Sequence, residues 1–426
     1  MTSGVVVIAA AVMLATLFLK APVFIAVLSG PFTYFLLNAS LPGQIMAQRV
    51  IAGLESIPLL AIPFFVCSGV IMNYSGVTTR VMRFCEVCVR RIPGGLAQVN
   101  VLLSTLMGGL SGSNLADAAM EAKMLVPEME KRGFSKEFSS VVTAVSAMIT
   151  PLIPPGIAMI IYGSIANVSI GKLFVAGIGP GLLLCVAMMI LVAIISVRRN
   201  YKNEMIENVS FRAAAKSAFF PLLLPIVIIG GIRIGVFTPT EAGAVAIVYA
   251  VVLSLVFREF SFKNLYQSLK ETVTTTASIM MIVGAASAFA WILTREQIPQ
   301  RLTAFIIANV SNKYIFLMII NVFLLIVGMF IEGNASMIVL VPLFAPVARA
   351  FGIDDIQFAM IFIFNMAIGA ISPPMGTLMF VTCSITNCKL GAFIREAPPF
   401  YILLLICLMM LTFVPFFSLF FVNLLY

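Results

Sequence analysis

The sequence contains no histidine. The commonest general base and metal ligand at neutral pH is therefore missing, which weakens the case for an intramembrane enzyme. Charge is scarce too. Asp, Glu, Lys and Arg make up 10% of the chain, against roughly a quarter in soluble domains, so an ordinary soluble globular protein is excluded. Of the seven cysteines, only Cys85 and Cys88 form a CxxC. It lies in "RVMRFCEVCVRR", an amphipathic helical pattern with no second pair. Structural zinc sites want four ligands, so these two thiols read as packing residues. Short alternating apolar–polar segments, the mark of a membrane β-barrel, do not occur. Residues 4–19 lack a basic leader and are followed directly by another apolar run. They read as a retained helix rather than a cleaved signal.

What remains is apolar. The 426 residues are 61% hydrophobic with mean hydropathy +1.11, and the apolar runs are near the ~20 residues that cross a bilayer as a helix. The chain is thus an all-α polytopic membrane protein. The net charge of +9 sits in short loops, as cytoplasmic loops require, and is no sign of nucleic-acid binding.

Apolar segments run at 3–19, 22–37 and 57–75, with a basic amphipathic segment at 76–93. Two short arms, 94–110 and 115–126, flank "GGLSGSNLADAAM". A long segment at 138–168 is broken by "TPLIPPG" (150–156), and a full span covers 173–197. The second half has spans at 217–236, 239–257 and 271–293. Arms at 313–331 and 335–351 then surround "EGNAS". A segment at 357–388 is broken by "SPPMG" (372–376), and a last span covers 398–424.

The halves, 1–213 and 214–426, share an order: a Pro-started helix (Pro22, Pro239), a Gly/Ser/Asn break, and a Pro-Pro break. From Pro22 to Gly112 is 90 residues and from Pro239 to Gly333 is 94; from Gly112 to Pro154 is 42 and from Gly333 to Pro373 is 40. Matching interruptions in two halves are the sequence pointer to a transporter site built from a repeat. Basic residues set the sidedness. Arg80, Arg83, Arg90 and Arg91 place 76–93 in the cytoplasm. Lys131, Arg132 and Lys136 do the same for 127–137, so 94–126 enters and returns. The segment 198–216, with Arg198, Arg199, Lys202, Arg212 and Lys216, is cytoplasmic in turn, as are 258–270 and 389–397. The arms 313–351 then enter from the opposite face. The halves read as inverted repeats with both termini periplasmic.

Short arms joined at membrane depth are re-entrant hairpins, and their exposed backbone is tolerated only inside protein or against a polar cavity. Helix C-termini attract a cation and N-termini an anion. Proline frees a carbonyl one turn back. One tip and one break make one Na⁺ site: Ser111, Ser113 and Asn114 with Thr150, Pro154 and Gly156. The other tip and break make a second: Gly333 and Asn334 with Ser372, Pro373, Gly376 and Thr377. An organic anion fits between the tips, near Gly112, Asp117, Pro155, Glu332 and Pro374. Singly, such motifs are common packing or kink elements, and Asp117 or Glu332 could equally cap a helix. Their paired occurrence favours the site.

These stretches resemble the large membrane subunit of tripartite ATP-independent periplasmic (TRAP) transporters. The likeness runs through "IPLLAIPFFVCSGVIM" (57–72), "GGLAQVNVLLSTLMGGLSGSNLADAAM" (94–120), "ITPLIPPGIAMIIYG" (149–163), "GGIRIGVFTPTEAGAVA" (230–246), "EGNASMIVLVPLFAPVA" (332–348) and "ISPPMGTLMF" (371–380). The chain departs from the pattern at Ser113-Asn114, where Ser-Ala or Thr-Ala is frequent. The resemblance implies an elevator-type transporter of the bacterial inner membrane. It implies Na⁺-driven import of an organic acid, such as a sugar acid or dicarboxylate, delivered by a periplasmic binding protein. It also implies a small four-helix membrane subunit, expected as a separate partner because this chain starts at its own first span. A stand-alone Na⁺/anion symporter needs no binding protein, and a non-transporting scaffold or enzyme would show no Na⁺-dependent uptake.

A binding protein would dock on the outer loops 38–56, 233–241, 294–312 and 352–356. Their mixed charges are Arg49, Glu55, Arg233, Glu241, Arg295, Glu296, Arg301, Asp354 and Asp355, a set suited to weak, steered docking. The sidedness has a direct check. Cysteines introduced at 205 and 265 should label from the cytoplasm, and ones at 40 and 297 from the periplasm. Labelling of 205 and 297 from one side would sink the inverted arrangement.

Overall fold

The computed structural model describes residues 2–19, 21–38, 40–201, 210–310 and 312–426; Lys202 and position 205 lie outside them. Among the described residues there are helices and no strands. Seven helices among the described residues are long and apolar enough to cross a membrane, nine if each of two bent pairs counts as one span. The all-α membrane reading holds.

The helix starts follow local chemistry. Pro239 takes the first turn of Pro239–Val256, where its missing N–H costs nothing. Thr238 and Glu241 cap that turn reciprocally, which satisfies two orphan donors. Pro22 occupies the cap position of Val23–Leu37. In Val77–Val89, Val77, Val81, Cys85 and Val89 share one buried face. Cys85 is buried while Cys88 is exposed, so the packing reading fits Cys85 and does not fit Cys88.

Each half contains two helices meeting at a short joint and then a helix interrupted in its middle. In the first half the pair is Gly95–Ser111 and Asn114–Met124. The interrupted helix runs from Lys136–Ser146 through a 3₁₀ turn, Ala147–Ile149, to Ile157–Ala166. In the second half the pair is Lys313–Phe330 and Gly333–Ala350, and the interrupted helix is Asp355–Ile371 with Thr377–Thr386. Both Pro-Pro bonds in the interruptions, 154–155 and 373–374, are cis. Both far halves end at an asparagine in the left-handed region, Asn167 and Asn387. Each lies eleven residues after the glycine that closes its break, Gly156 or Gly376.

Buried amides tie each leading arm to the near half of its interrupted helix. Asn100 donates to the Thr143 hydroxyl at 2.6 Å and accepts from Ser146 at 3.0 Å. In the second half Asn365 donates to Asn321 Oδ1, and Asn321 donates to the Thr412 hydroxyl, both at 2.8 Å. Returning arms also cross over to the other half. Asn114–Met124 packs on Thr377–Thr386, and Gly333–Ala350 packs on Ile157–Ala166. The 34-residue helix Phe262–Arg295 packs against Val23–Leu37, Gln44–Leu54, Ala61–Tyr74 and Gly333–Ala350.

Four expectations need correction. The outer segments 38–56 and 294–312, read as loops, hold the helices Gln44–Leu54 and Ile298–Asn309. These rest on the long helix and on Gly333–Ala350, a tertiary support that local composition does not reveal. The segment 258–270, also read as a loop, is helical from Phe262. The last span is bent by 53° between Pro398–Phe413 and Phe416–Leu425, where Pro415 cannot continue the ladder. Glu296, assigned to the docking surface, is only 8% exposed, and its carboxylate accepts the Tyr34 hydroxyl.

Lys313–Phe330 and Asp355–Ile371 cross closely. A Cβ on Gly369 would lie 2.5 Å from the Gly328 backbone, which cannot move aside. Gly369→Ala should therefore lower stability by about 1–3 kcal/mol, as overpacking does. A thermal melt in detergent checks this, and an unchanged melting temperature would refute the close crossing.

Candidate functional site

The first joint is built by Gly112 and Ser113. Gly112 adopts φ +63°, and a Cβ there would lie 2.5 Å from the Pro155 carbonyl oxygen. Only glycine meets both demands. Ser113 then turns extended, and its hydroxyl accepts from the Ala116 N–H at 3.4 Å, capping the returning arm. Asp117, on the first turn of that arm, is fully buried. Its Oδ2 accepts from the Ser111 hydroxyl at 2.6 Å and the Thr150 hydroxyl at 2.8 Å. One carboxylate oxygen thus joins the end of the leading arm, the start of the returning arm and the start of the break. Its Oδ1 has no protein partner. Among the described residues, no donor reaches the carbonyls of Pro154 and Pro155. A helix of the other part of the fold, Ala61–Tyr74, presses on this joint: a Cβ on Gly69 would lie 2.7 Å from the Ser111 carbonyl oxygen.

The second joint uses a different cap. The Glu332 carboxylate accepts from the Ala335 N–H at 3.0 Å and from the Asn334 side chain at 2.9 Å. Glu332 therefore has the capping role. The joint touches its own break through the Met375 N–H, which donates to the Met329 carbonyl at 3.2 Å. Ser372 turns its hydroxyl back to the Ile368 carbonyl at 2.8 Å, and Gly333 sits against Met366.

Between the joints lies a cavity of about 390 Å³. Four helices begin on its wall: Asn114, Ile157, Gly333 and Thr377 are each the first residue of a helix, and each lines the cavity. Helix N-termini carry roughly half a positive charge each, and their free N–H groups suit anions. Among the described residues, no Lys or Arg lines this wall. Its one charged residue, Glu332, is already committed to capping. Peptide dipoles at the four helix starts are therefore the positive groups on this wall, facing the Glu332 carboxylate.

Of the residues singled out in the sequence, Gly112, Ser113, Asn114, Glu332, Gly333, Asn334 and Thr377 line the cavity. Ser111 and Thr150 meet through Asp117 behind the first joint, with Pro154, Pro155 and Gly156 buried around them. Asp117 does not line the cavity. Ser372, Pro373 and Gly376 stay in the second break, and Pro374 is exposed. The structure adds Thr274, Thr275 and Ser278, which line the cavity from the long helix. Their signal was present as "TTTAS" inside an apolar span. It also adds Glu121, fully buried one turn beyond Asp117, which accepts from Ser104 at 2.6 Å.

The unwound joints of this all-helical membrane chain thus converge on one cavity, apolar over most of its wall with hydroxyl, amide and carboxylate groups set into it. The chain belongs to the family described as tripartite ATP-independent periplasmic transporter, DctM component, which it matches over residues 7–417. It is 38% identical over 410 residues to the sialic acid TRAP transporter large permease protein SiaM of Vibrio cholerae, covering 95% of this chain and 96% of that one. It is also 38% identical to the C4-dicarboxylate TRAP transporter large permease protein DctM of Pseudomonas aeruginosa, over 91% of each. In fold it is similar to the YdaH transporter of Alcanivorax borkumensis, with TM-score 0.64 at 13% identity over 87% of both chains. The family resemblance read in the sequence is thereby established, and these relatives are named as transporters rather than enzymes.

The shared Asp117 oxygen generates a stability test. Ser111→Ala and Thr150→Val should each cost about 1–3 kcal/mol, since each removes a hydrogen bond to a buried carboxylate. Together they should depart from additivity, because both serve one atom. Denaturation of the two single variants and the double variant measures this; strict additivity would refute the shared joint.

Proposed function

We propose that this chain is the large permease subunit of a Na⁺-coupled importer of an organic acid. The observation that carries the reading is the convergence of four helix N-termini on one cavity free of basic side chains. Such a field holds a carboxylate without the strong ion pair that would slow its release. Relatives named for sialic acid and C4-dicarboxylates fit a carboxylate cargo.

Na⁺ completes the charge balance. The leading arm of each pair and the near half of each interrupted helix end with carbonyls at the joints. Hydroxyls of Ser111, Ser113 and Thr150 stand at the first joint; Ser372 and Thr377 belong to the second break. We assign one Na⁺ to Ser111, Ser113, Asn114, Thr150, Pro154 and Gly156. The other goes to Gly333, Asn334, Ser372, Pro373, Gly376 and Thr377. Each ion would offset the anion beside it, so that substrate and ions bind together.

The matched order of elements and the crossed packing of the returning arms support two inverted repeats with re-entrant hairpins. The amide ties between arm and interrupted helix favour a block moving as one unit, an elevator, against the long helix. The basic loops favour the bacterial inner membrane with both termini periplasmic. A separate small membrane subunit and a periplasmic binding protein complete the assembly in this reading.

The test is uptake of radiolabelled N-acetylneuraminate and succinate into proteoliposomes holding the chain and its small subunit, with and without the binding protein. Uptake should need both Na⁺ and the binding protein. Equal uptake of free substrate without that protein would favour a stand-alone symporter; no Na⁺-dependent uptake under any condition would remove the transport reading. Gly112→Leu and Gly333→Leu should each raise the Na⁺ concentration for half-maximal uptake about tenfold, equivalent to about 1.4 kcal/mol of lost ion binding. An unchanged Na⁺ dependence in both variants would overturn the ion-site assignment.

A further inference from the structure

A second cavity of about 280 Å³ adjoins the first and shares Ser113, Thr274 and Thr275 with it. Its remaining wall includes Asn73 at the end of Ala61–Tyr74 and Gln267, Lys270 and Glu271 near the start of the long helix. Both of these helix ends adjoin basic segments, with Arg80 and Arg83 on one side and Arg258 and Lys263 on the other. Charge asymmetry of this kind marks the cytoplasmic face. The second cavity therefore leads from the central site toward the cytoplasm.

Its polar groups are unevenly committed. Glu271 Oε1 accepts from the Tyr74 hydroxyl at 2.7 Å and from the Gln267 amide at 3.0 Å. Lys270 is exposed and, among the described residues, has no acidic partner within 4.0 Å. Asn73 Oδ1 is buried with no donor. A buried amide oxygen without a partner is uncommon and asks for one. A lysine ammonium is a mobile point charge suited to a carboxylate. The central cavity offers an anion dipoles alone, whereas this one adds a lysine whose ammonium is uncommitted, beside a Glu271 carboxylate already held by two donors.

We propose that the second cavity is the release vestibule, and that Lys270 and Asn73 form a subsite in it for a hydroxylated carboxylate. The carboxylate meets Lys270 and a ligand hydroxyl donates to Asn73 Oδ1. The proposal rests on the transport reading above and adds a cytoplasmic waypoint to it. A carboxylate without hydroxyls would satisfy Lys270 alone, so the subsite favours sugar acids over simple dicarboxylates at the exit.

The test uses Thr275→Cys in the full chain, with reaction rates taken over those of the parent because Cys88 is exposed. Anionic and cationic methanethiosulfonates are applied to right-side-out and inverted membrane vesicles. Reaction is expected from the cytoplasmic side. The anionic-to-cationic rate ratio should fall about threefold or more in Lys270→Ala, as loss of one unit charge within a Debye length implies. Lys270→Arg should retain the ratio. D-gluconate should slow the reaction more than succinate, and Asn73→Leu should erase that difference. Reaction from the periplasmic face alone, or a ratio unmoved by Lys270→Ala, would overturn the proposal. Loss of transport with the labelling pattern intact would remove the transport reading and leave the subsite standing. Intact transport with an unmoved ratio would remove the subsite alone.

Discussion

A peptide group inside a bilayer has no water to turn to, and the architecture of this chain follows from that. An N–H or C=O left unpaired there costs several kcal/mol. The chain nonetheless breaks helix continuity four times near its centre, at two joints and two Pro-Pro interruptions. The first interruption is kept inside protein, whereas Pro374 and Met375 of the second are exposed. The first joint lies on the first interruption, Gly112 against the Pro155 carbonyl, and the second lies on its own, with Met375 donating to Met329. Four helix N-termini are turned toward one cavity. The ends of helices, a liability elsewhere in the bilayer, supply its chemistry.

The two joints solve the same problem with different residues. A serine caps the first returning arm and a glutamate caps the second. The carboxylate of the first half is displaced one turn onward, to Asp117, where it gathers two hydroxyls instead of backbone donors. The halves match in backbone order more closely than in side-chain chemistry. One joint is held from behind by a buried acid, and the other is closed from the front by an acid on the cavity wall.

Much of this was legible in the sequence, and the reasons are specific. Gly, Ser, Asn and Pro are costly inside apolar runs, so "GGLSGSN", "IPPG", "EGNAS" and "SPPMG" stood out and marked both joints and both interruptions. Equal spacing paired them. The wall contributed by Thr274, Thr275 and Ser278 was missed because hydroxyls are cheap in a transmembrane helix, where they bond back to the preceding turn. Ser278 does so to the Thr274 carbonyl. Glu121 was missed because its pairing with Ser104 spans two helices. The outer helices Gln44–Leu54 and Ile298–Asn309 gave no signal because their support comes from distant elements. The bend at Pro415 was visible as a residue and overlooked as a consequence.

Gly69 sits where the helix Ala61–Tyr74 meets the first joint, so close that its missing side chain is the gap between them. Interlocked side chains hold two helices in register as teeth hold a gear. A smooth face has no teeth. At this contact the helix and the joint touch backbone to backbone, with no side chain between them. The grip between them is set by the volume at one position. A single methyl group there would work as a wedge, forcing apart two backbones that have no side chain to give way.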